Sequence, residues 1–219
     1  MERTWVVGDV HGCYDELMDL LTLIKKSCPP GDLNSFCLKE RDRLVFLGDY
    51  IDRGPNSKEV LEFLMNLEAY FGADRVVCLL GNHESMLLYY DFTFARATVE
   101  SFDGTIPGEY WDWLSKLRSH YDGGTFFAVH AGAMPGVEMR EQSEMYLLWH
   151  RYHAGDPACL SKHLYHGHTP QAPGTDAAVD RTNLDGGCVF GGKLLAALVG
   201  PDGKPERLLS VDSRADYTR

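Results

Sequence analysis

Trp5-Val6-Val7-Gly8-Asp9-Val10-His11-Gly12 decides the architecture. A short run of apolar side chains stops at a glycine, and two lone-pair donors, Asp9 and His11, follow within three residues. The arrangement recurs along the chain. Leu44-Val45-Phe46-Leu47 leads into Gly48-Asp49-Tyr50-Ile51-Asp52-Arg53-Gly54, and Val76-Val77-Cys78-Leu79-Leu80 leads into Gly81-Asn82-His83-Glu84. Phe126-Phe127-Ala128-Val129 ends at His130-Ala131-Gly132, and Leu164-Tyr165 precedes His166-Gly167-His168-Thr169-Pro170. Continuous apolar runs of this length suit strands covered on both faces.

Helical periodicity falls between these runs. Tyr14 to Lys26 places Leu17, Leu20, Leu21 and Ile24 on one stripe. Asn56-Ser57-Lys58-Glu59 predicts a helix start with a capping box, followed by Val60, Phe63, Leu64 and Leu67 on one face. Strand, loop and helix thus alternate, which predicts an α/β fold with its polar donors on loops at the carboxyl ends of strands. Leu194 to Val199, Pro201-Asp202-Gly203-Lys204 and Leu208 to Val211 predict a β-hairpin, and hence a mixed sheet or two sheets packed together. Residues 91–122 interrupt the alternation with an amphipathic stripe of Tyr110, Trp113, Leu114 and Leu117. It reads as a helix packed on the body or as a helical cap over a cleft, within a single domain spanning residues 1–219.

Lys plus Arg number 21 and Asp plus Glu 32, a formal charge of −11. That balance argues against a nucleic-acid partner gripped along an extended surface, though not against a local phosphate site. The six cysteines are scattered with no Cys-x-x-Cys pair, so neither a disulfide framework nor a thiolate zinc site is expected. The amino terminus lacks the apolar core of a secretion signal and no run is long enough to span a membrane. The expectation is a cytoplasmic protein with reduced thiols and no membrane partner; nothing in the sequence bears on oligomeric state.

Asp9, His11, Asp49, Asn82, His130 and His168 are all oxygen or imidazole donors presented from loops. A mixed set without thiolate suits manganese, iron or zinc, whereas calcium prefers more oxygens. Two histidines late in the chain add more ligands than one tetrahedral ion needs.

Gly-Asp-Val-His-Gly, Gly-Asp-Tyr-Ile-Asp-Arg-Gly and Gly-Asn-His-Glu, in this order, resemble the phosphoprotein phosphatase branch of the calcineurin-like metallophosphoesterases. Bacterial and bacteriophage-lambda-type serine/threonine phosphatases are the nearer analogy. Val129-His130-Ala131-Gly132 and Gly167-His168-Thr169-Pro170 extend the match to about residue 170. The resemblance implies a sandwich of two mixed β-sheets flanked by helices and a centre of two divalent cations, manganese by preference. Asp9, His11 and Asp49 would hold one ion, and Asp49, Asn82, His130 and His168 the other. It further implies direct attack on phosphorus by a hydroxide between the ions, with His83 as general acid, Asp52 as its partner and Arg53 on the phosphate. Arg151, in Leu148-Trp149-His150-Arg151, resembles a second phosphate arginine on a shorter match.

Neighbouring residues read as support. Glu84 is expected to serve the turn and the helix start, and His166 to pack beside His168. The implied activity is a phosphomonoester hydrolase acting on phosphorylated proteins or small phosphoesters. The alternative is a symmetrical dinucleoside tetraphosphate hydrolase, which shares the metal motifs and which Leu184-Asp185-Gly186-Gly187-Cys188-Val189-Phe190-Gly191-Gly192 also resembles. A phosphoprotein-binding module without catalysis is a third reading.

Overall fold

A computed structural model describes residues 3–27, 38, 42–89, 95–153, 155–172 and 178–218. The first apolar run is β1 (Thr4–Val7), followed by α1 (Tyr14–Lys26), β2 (Arg43–Phe46), α2 (Ser57–Phe71), β3 (Val76–Cys78) and α3 (Asn82–Tyr89). Next come α4 (Arg96–Ser101), α5 (Gly108–Leu114), β4 (His120–Asp122), β5 (Phe126–Val129), a 3-10 turn at Met139–Glu141 and α6 (Glu144–Trp149). The chain continues through β6 (His163–His166), β7 (Arg181–Asn183), β8 (Lys193–Val199) and β9 (Pro205–Asp212).

Two mixed sheets result. The first has strand order β3-β2-β1-β8-β9, with β1, β2 and β3 parallel and β8 antiparallel to both β1 and β9. The second has order β4-β5-β6-β7, with β4 the antiparallel edge. The expected hairpin is the β8–β9 pair, and the expected first helix has the observed bounds.

Strand alternation sorts the apolar residues into layers. Trp5, Val7, Leu44 and Phe46 face the helices, where they meet Leu17, Leu20, Leu61 and Leu64. Val6, Val45, Leu47 and Val77 face the other way and pack against Phe126, Ala128 and Tyr165 of the second sheet. Phe127, Val129 and Leu164, on the far side of that sheet, pack under Leu147 and Tyr152. Strands β1, β2, β3 and β5 are therefore covered on both faces, which is why they read as apolar runs, whereas the edge strand β9 is largely exposed.

One local expectation resolves differently, and another resolves to one of its two readings. The capping box at Asn56 does not form, because the Asn56 side chain makes no cap bond. The Lys58 N–H instead donates to Ser101 Oγ of α4 at 3.2 Å, so a packed neighbour supplies the acceptor. The stripe within 91–122 packs on the body: Tyr110 and Leu114 are buried with Phe102 and Ile106, and Trp113 and Leu117 lie against them. Residues 91–94 of that segment lie outside the described residues. Cys13, Cys78, Cys159 and Cys188 are free thiols, while Cys28 and Cys37 lie outside the described residues. Among the described residues no helix is long and apolar enough to cross a membrane.

Candidate metal centre

The loops that leave β1 and β2 are tied together before any side chain is considered. The N–H groups of Val10 and His11 both donate to the Asp49 carbonyl, at 3.1 and 2.8 Å, and that of Gly12 donates to Tyr50 at 2.8 Å. Glu84, buried in the first turn of α3, fastens the bundle from behind. Its carboxylate accepts the backbone N–H groups of Asp49 (2.8 Å), Tyr50 (2.7 Å), Ile51 (3.3 Å) and Gly81 (2.9 Å). The residue serves its own turn as expected, and it also crosses to the Asp49 loop. Burial and the nearby Asp49 charge push its carboxyl up to about 8, while the N–H donors pull the other way.

The conformations required are costly ones. Of the seven non-glycine residues with positive φ among the described residues, five are site candidates: His11, Asp49, Asp52, Arg53 and His168. Such strain persists only where surrounding bonds over-determine it, and it concentrates at functional sites. Two glycines allow the closest approaches. A Cβ at Gly81 would lie 2.2 Å from Asp49 N, and one at Gly167 would lie 1.9 Å from Asp9 Oδ1.

The imidazoles are presented in defined tautomers. His11 Nδ1 donates to the Ile51 carbonyl at 2.8 Å and His130 Nδ1 to the Leu47 carbonyl at 3.0 Å. Each therefore turns an unprotonated Nε2 into the site, as a ligand histidine must. His130 Nε2 lies 3.2 Å from His168 Nδ1 and 3.4 Å from Asp49 Oδ1, and both nitrogens are 2.9 Å from Asn82 Oδ1. Asp9, at the carboxyl end of β1, accepts the His168 N–H on Oδ2 at 3.0 Å.

All six sequence-predicted donors thus converge, and all six are buried. Two tighter groups, His11–Asp49–His83 and Asp49–His130–His168, each have ligand atoms within 4.8 Å of one another. Asp49 is common to both. His83 rather than Asp9 falls in the first.

The donor set is short of positive charge. Burial, then the neighbouring Asp185 and Asp49 carboxylates, push Asp9 well up. Burial drives His11 and His168 down to about 3 and lowers His130. Burial also opposes the ionisation of Asp49, but His130, His83 and His11 outweigh it and hold that carboxyl low. Asp9 Oδ1 and His168 Nε2 are buried without a hydrogen-bond partner. Facing nitrogen lone pairs, crowded carboxylates and an orphaned carboxylate oxygen fit divalent cations.

His83 behaves differently. Its Nδ1 meets Asp52 Oδ2 at 2.7 Å, and its backbone N–H donates to Asp49 Oδ1 at 3.0 Å. Burial works against its charge, yet Asp49 and Asp52 prevail and its pKa is raised. Electrostatics therefore sets His83, whose pKa is raised, apart from the three imidazoles whose pKa is lowered.

Exposed Arg53 reaches over the site, with Nη1 against His11 Nε2 and its guanidinium 5.3 Å from the centre of the Phe190 ring. Arg151 is exposed at the rim, and its charge helps lower the pKa of His168 and opposes the rise at Asp185. Trp149 presents its ring to His168 at 6.2 Å between centroids. His166 packs on Tyr152 and bonds Arg181 Nη1 at 3.0 Å, away from the donor cluster.

Sequence reasoning singled out neither Asp185 nor Thr98. Asp185 is buried beside Asp9, its carboxyl raised to about 7 by burial, and it follows β7 in the glycine-rich run. Thr98, fully buried in α4, bonds Asp52; no motif surrounds it.

The family model for calcineurin-like phosphoesterases matches residues 2–205. A symmetrical bis(5'-nucleosyl)-tetraphosphatase of Coxiella burnetii (strain RSA 331) is 33% identical over 149 residues, covering 64% of this chain and 45% of that protein. The serine/threonine-protein phosphatase PP2A-like PPG1 of Candida albicans is 28% identical over 142 residues, covering 63% and 30%. The chain thus spans less than half the length of these curated relatives. A solved structure proposed to be a diadenosine tetraphosphatase superposes with a TM-score of 0.70 at 22% identity, over 97% of this chain and 94% of that one.

Proposed function

The chain belongs to the calcineurin-like phosphoesterase family, and on that premise we propose that it is a metal-dependent phosphomonoesterase that releases phosphate from serine and threonine esters. Asp9, His11 and Asp49 would hold one divalent cation, and Asp49, Asn82, His130 and His168 the second, with Asp49 shared. Manganese suits these oxygen and imidazole donors, with iron or zinc as alternatives. Cations bound there would supply positive charge to phosphate oxygens and would acidify a bound water. Arg53 and Arg151 bring donors to the phosphoryl oxygens from the open side, where a planar guanidinium can bond two oxygens at once.

The His83–Asp52 pair carries the reading. With Nδ1–H bonded to Asp52, an imidazolium holds its second proton on Nε2, available to a departing oxygen. Expelling a serine or threonine alkoxide demands such a proton. Symmetrical cleavage of a dinucleoside tetraphosphate expels a nucleoside diphosphate, which leaves as a stable anion without one. A buried His–Asp pair with a raised pKa therefore favours the alkyl ester.

The dinucleotide reading stands second, on the named activity of the Coxiella relative. One panel separates the two. With manganese present, product release is compared for a phosphoserine peptide, p-nitrophenyl phosphate and diadenosine tetraphosphate at matched concentrations. Faster release from the peptide, lost in His83→Asn, is the expected result. Strong preference for the dinucleotide, insensitive to His83→Asn, makes the second reading the right one.

A further inference from the structure

Thr98 stands 46 residues from Asp52 in sequence, yet the two close a small ring. The Asp52 N–H donates to Thr98 Oγ1 at 3.0 Å, and Thr98 Oγ1 donates to Asp52 Oδ1 at 2.5 Å. Ser57 Oγ, 3.4 Å from Thr98 Oγ1, also accepts the Asp52 N–H, at 3.1 Å. Thr98 and Ser57 are both wholly buried. Asp52 itself sits at φ 68°, a conformation that favours glycine. Both its carboxylate oxygens are thereby committed, Oδ1 to Thr98 and Oδ2 to His83 Nδ1.

A hydroxyl has one proton to give, and Thr98 gives it to the carboxylate. We propose that Thr98 is a positioning residue for the general acid, fixing the Asp52 carboxylate in the orientation that aims His83 at the leaving oxygen. The inference rests on His83 being the acid, as argued above. As a hydroxide oxygen forms its bond to phosphorus, the ester phosphorus–oxygen bond breaks and its electron pair passes to the leaving oxygen, which takes the Nε2 proton of His83. The imidazolium becomes neutral imidazole, Asp52 remains ionised and Thr98 keeps its proton. On this view α4 belongs to the chemistry: its Ser101 Oγ accepts the Lys58 N–H at the start of α2, and its Thr98 orients the acid's partner.

The test uses the manganese-loaded protein and two esters. A phosphoserine peptide needs the acid, whereas p-nitrophenyl phosphate has a leaving group that needs it far less. Thr98→Val should lower the ratio of kcat/KM for the peptide to that for the aryl ester by about tenfold, part of the usual worth of a general acid. Thr98→Ser, which keeps the hydroxyl, should hold the ratio within about threefold of wild type. Thr98→Ala is the second hydroxyl-free variant, and unfolding midpoints and metal content are recorded for each.

Equal losses on both esters in Thr98→Val, or an unchanged ratio, overturn the proposal. So does failure of both hydroxyl-free variants to fold, since the hydroxyl would then be a requirement of folding. His83→Asn on the same pair separates the inference from its premise. If that variant spares the peptide, the acid assignment itself is wrong; if it collapses the ratio while Thr98→Val does not, Thr98 alone is misassigned.

Discussion

Glu84 Oε2 accepts the backbone N–H of Asp49 at 2.8 Å and that of Gly81 at 2.9 Å, so one buried carboxylate joins the loops that follow β2 and β3. Glu84→Ala leaves these donors and the N–H groups of Tyr50 and Ile51 without their acceptor. An unsatisfied buried donor costs about 1–3 kcal/mol, so a loss of about 3 kcal/mol or more is expected. Glu84→Gln is milder but not neutral, because its amide NH₂ turns a donor toward donors. Urea unfolding measures both losses, and manganese affinity should fall in step.

Gly167 is expected to tolerate no side chain. A Cβ there would sit 1.9 Å from Asp9 Oδ1, so Gly167→Ala must turn the Asp9 carboxylate aside. Metal content, measured by elemental analysis after gel filtration, should drop while far-ultraviolet circular dichroism stays close to wild type. Full metal content in the variant would show that Asp9 is not a ligand.

Cation binding should be strongly stabilising. Asp9, Asp49 and Asp185 repel one another in a buried cluster, and a ligand at 100 times its Kd adds about 2.7 kcal/mol. Calorimetric titration of chelator-treated protein with manganese should register two equivalents and a raised Tm. Asp49→Asn should weaken both equivalents, because Asp49 is common to the two donor groups; weakening of one alone would argue against sharing.

His163 gives an acid sensitivity unconnected with the metals. It is buried in β6 with Nε2 2.8 Å from Thr182 Oγ1. Burial, helped by Lys204 and opposed by Asp180 and Asp202, lowers its pKa from 6.5 to about 4. Below pH about 6.5 the unfolded chain gains a proton that the folded chain refuses until about 4, so stability drains away over that interval as pH falls. His163→Gln should flatten the decline when urea midpoints are compared with wild type between pH 7 and 4.5. An unchanged slope would place the sensitivity elsewhere.

The donors were legible because each ends a strand. Asp9, Asp49, Asn82, His130 and His168 follow short apolar runs that suit buried strands, and parallel strands gather their carboxyl ends at one edge. The β8–β9 hairpin announced itself through Pro201-Asp202-Gly203-Lys204 between two apolar runs. Thr98 did not, since a threonine inside an amphipathic segment carries no mark of a partner 46 positions away. The reach of Glu84 was half legible: its place at a helix start is local, whereas its bonds to Asp49 and Tyr50 depend on β2 and β3 being neighbours. Asn56 misled for the converse reason, because α4 delivered a capping acceptor that local pattern could not foresee.

The place of β1 between β2 and β8 has a consequence for how the protein is made. The Gly8 N–H, beside Asp9, donates to the Leu195 carbonyl at 3.1 Å, so the strand that leads into Asp9 gains its second flank from a segment far downstream of it. A nascent chain that has emerged through residue 170 already carries every proposed ligand but lacks the strand that steadies the first of them. Hydrolytic competence is therefore expected only after β8 has emerged and paired with β1, and a chain released before that point should be inert.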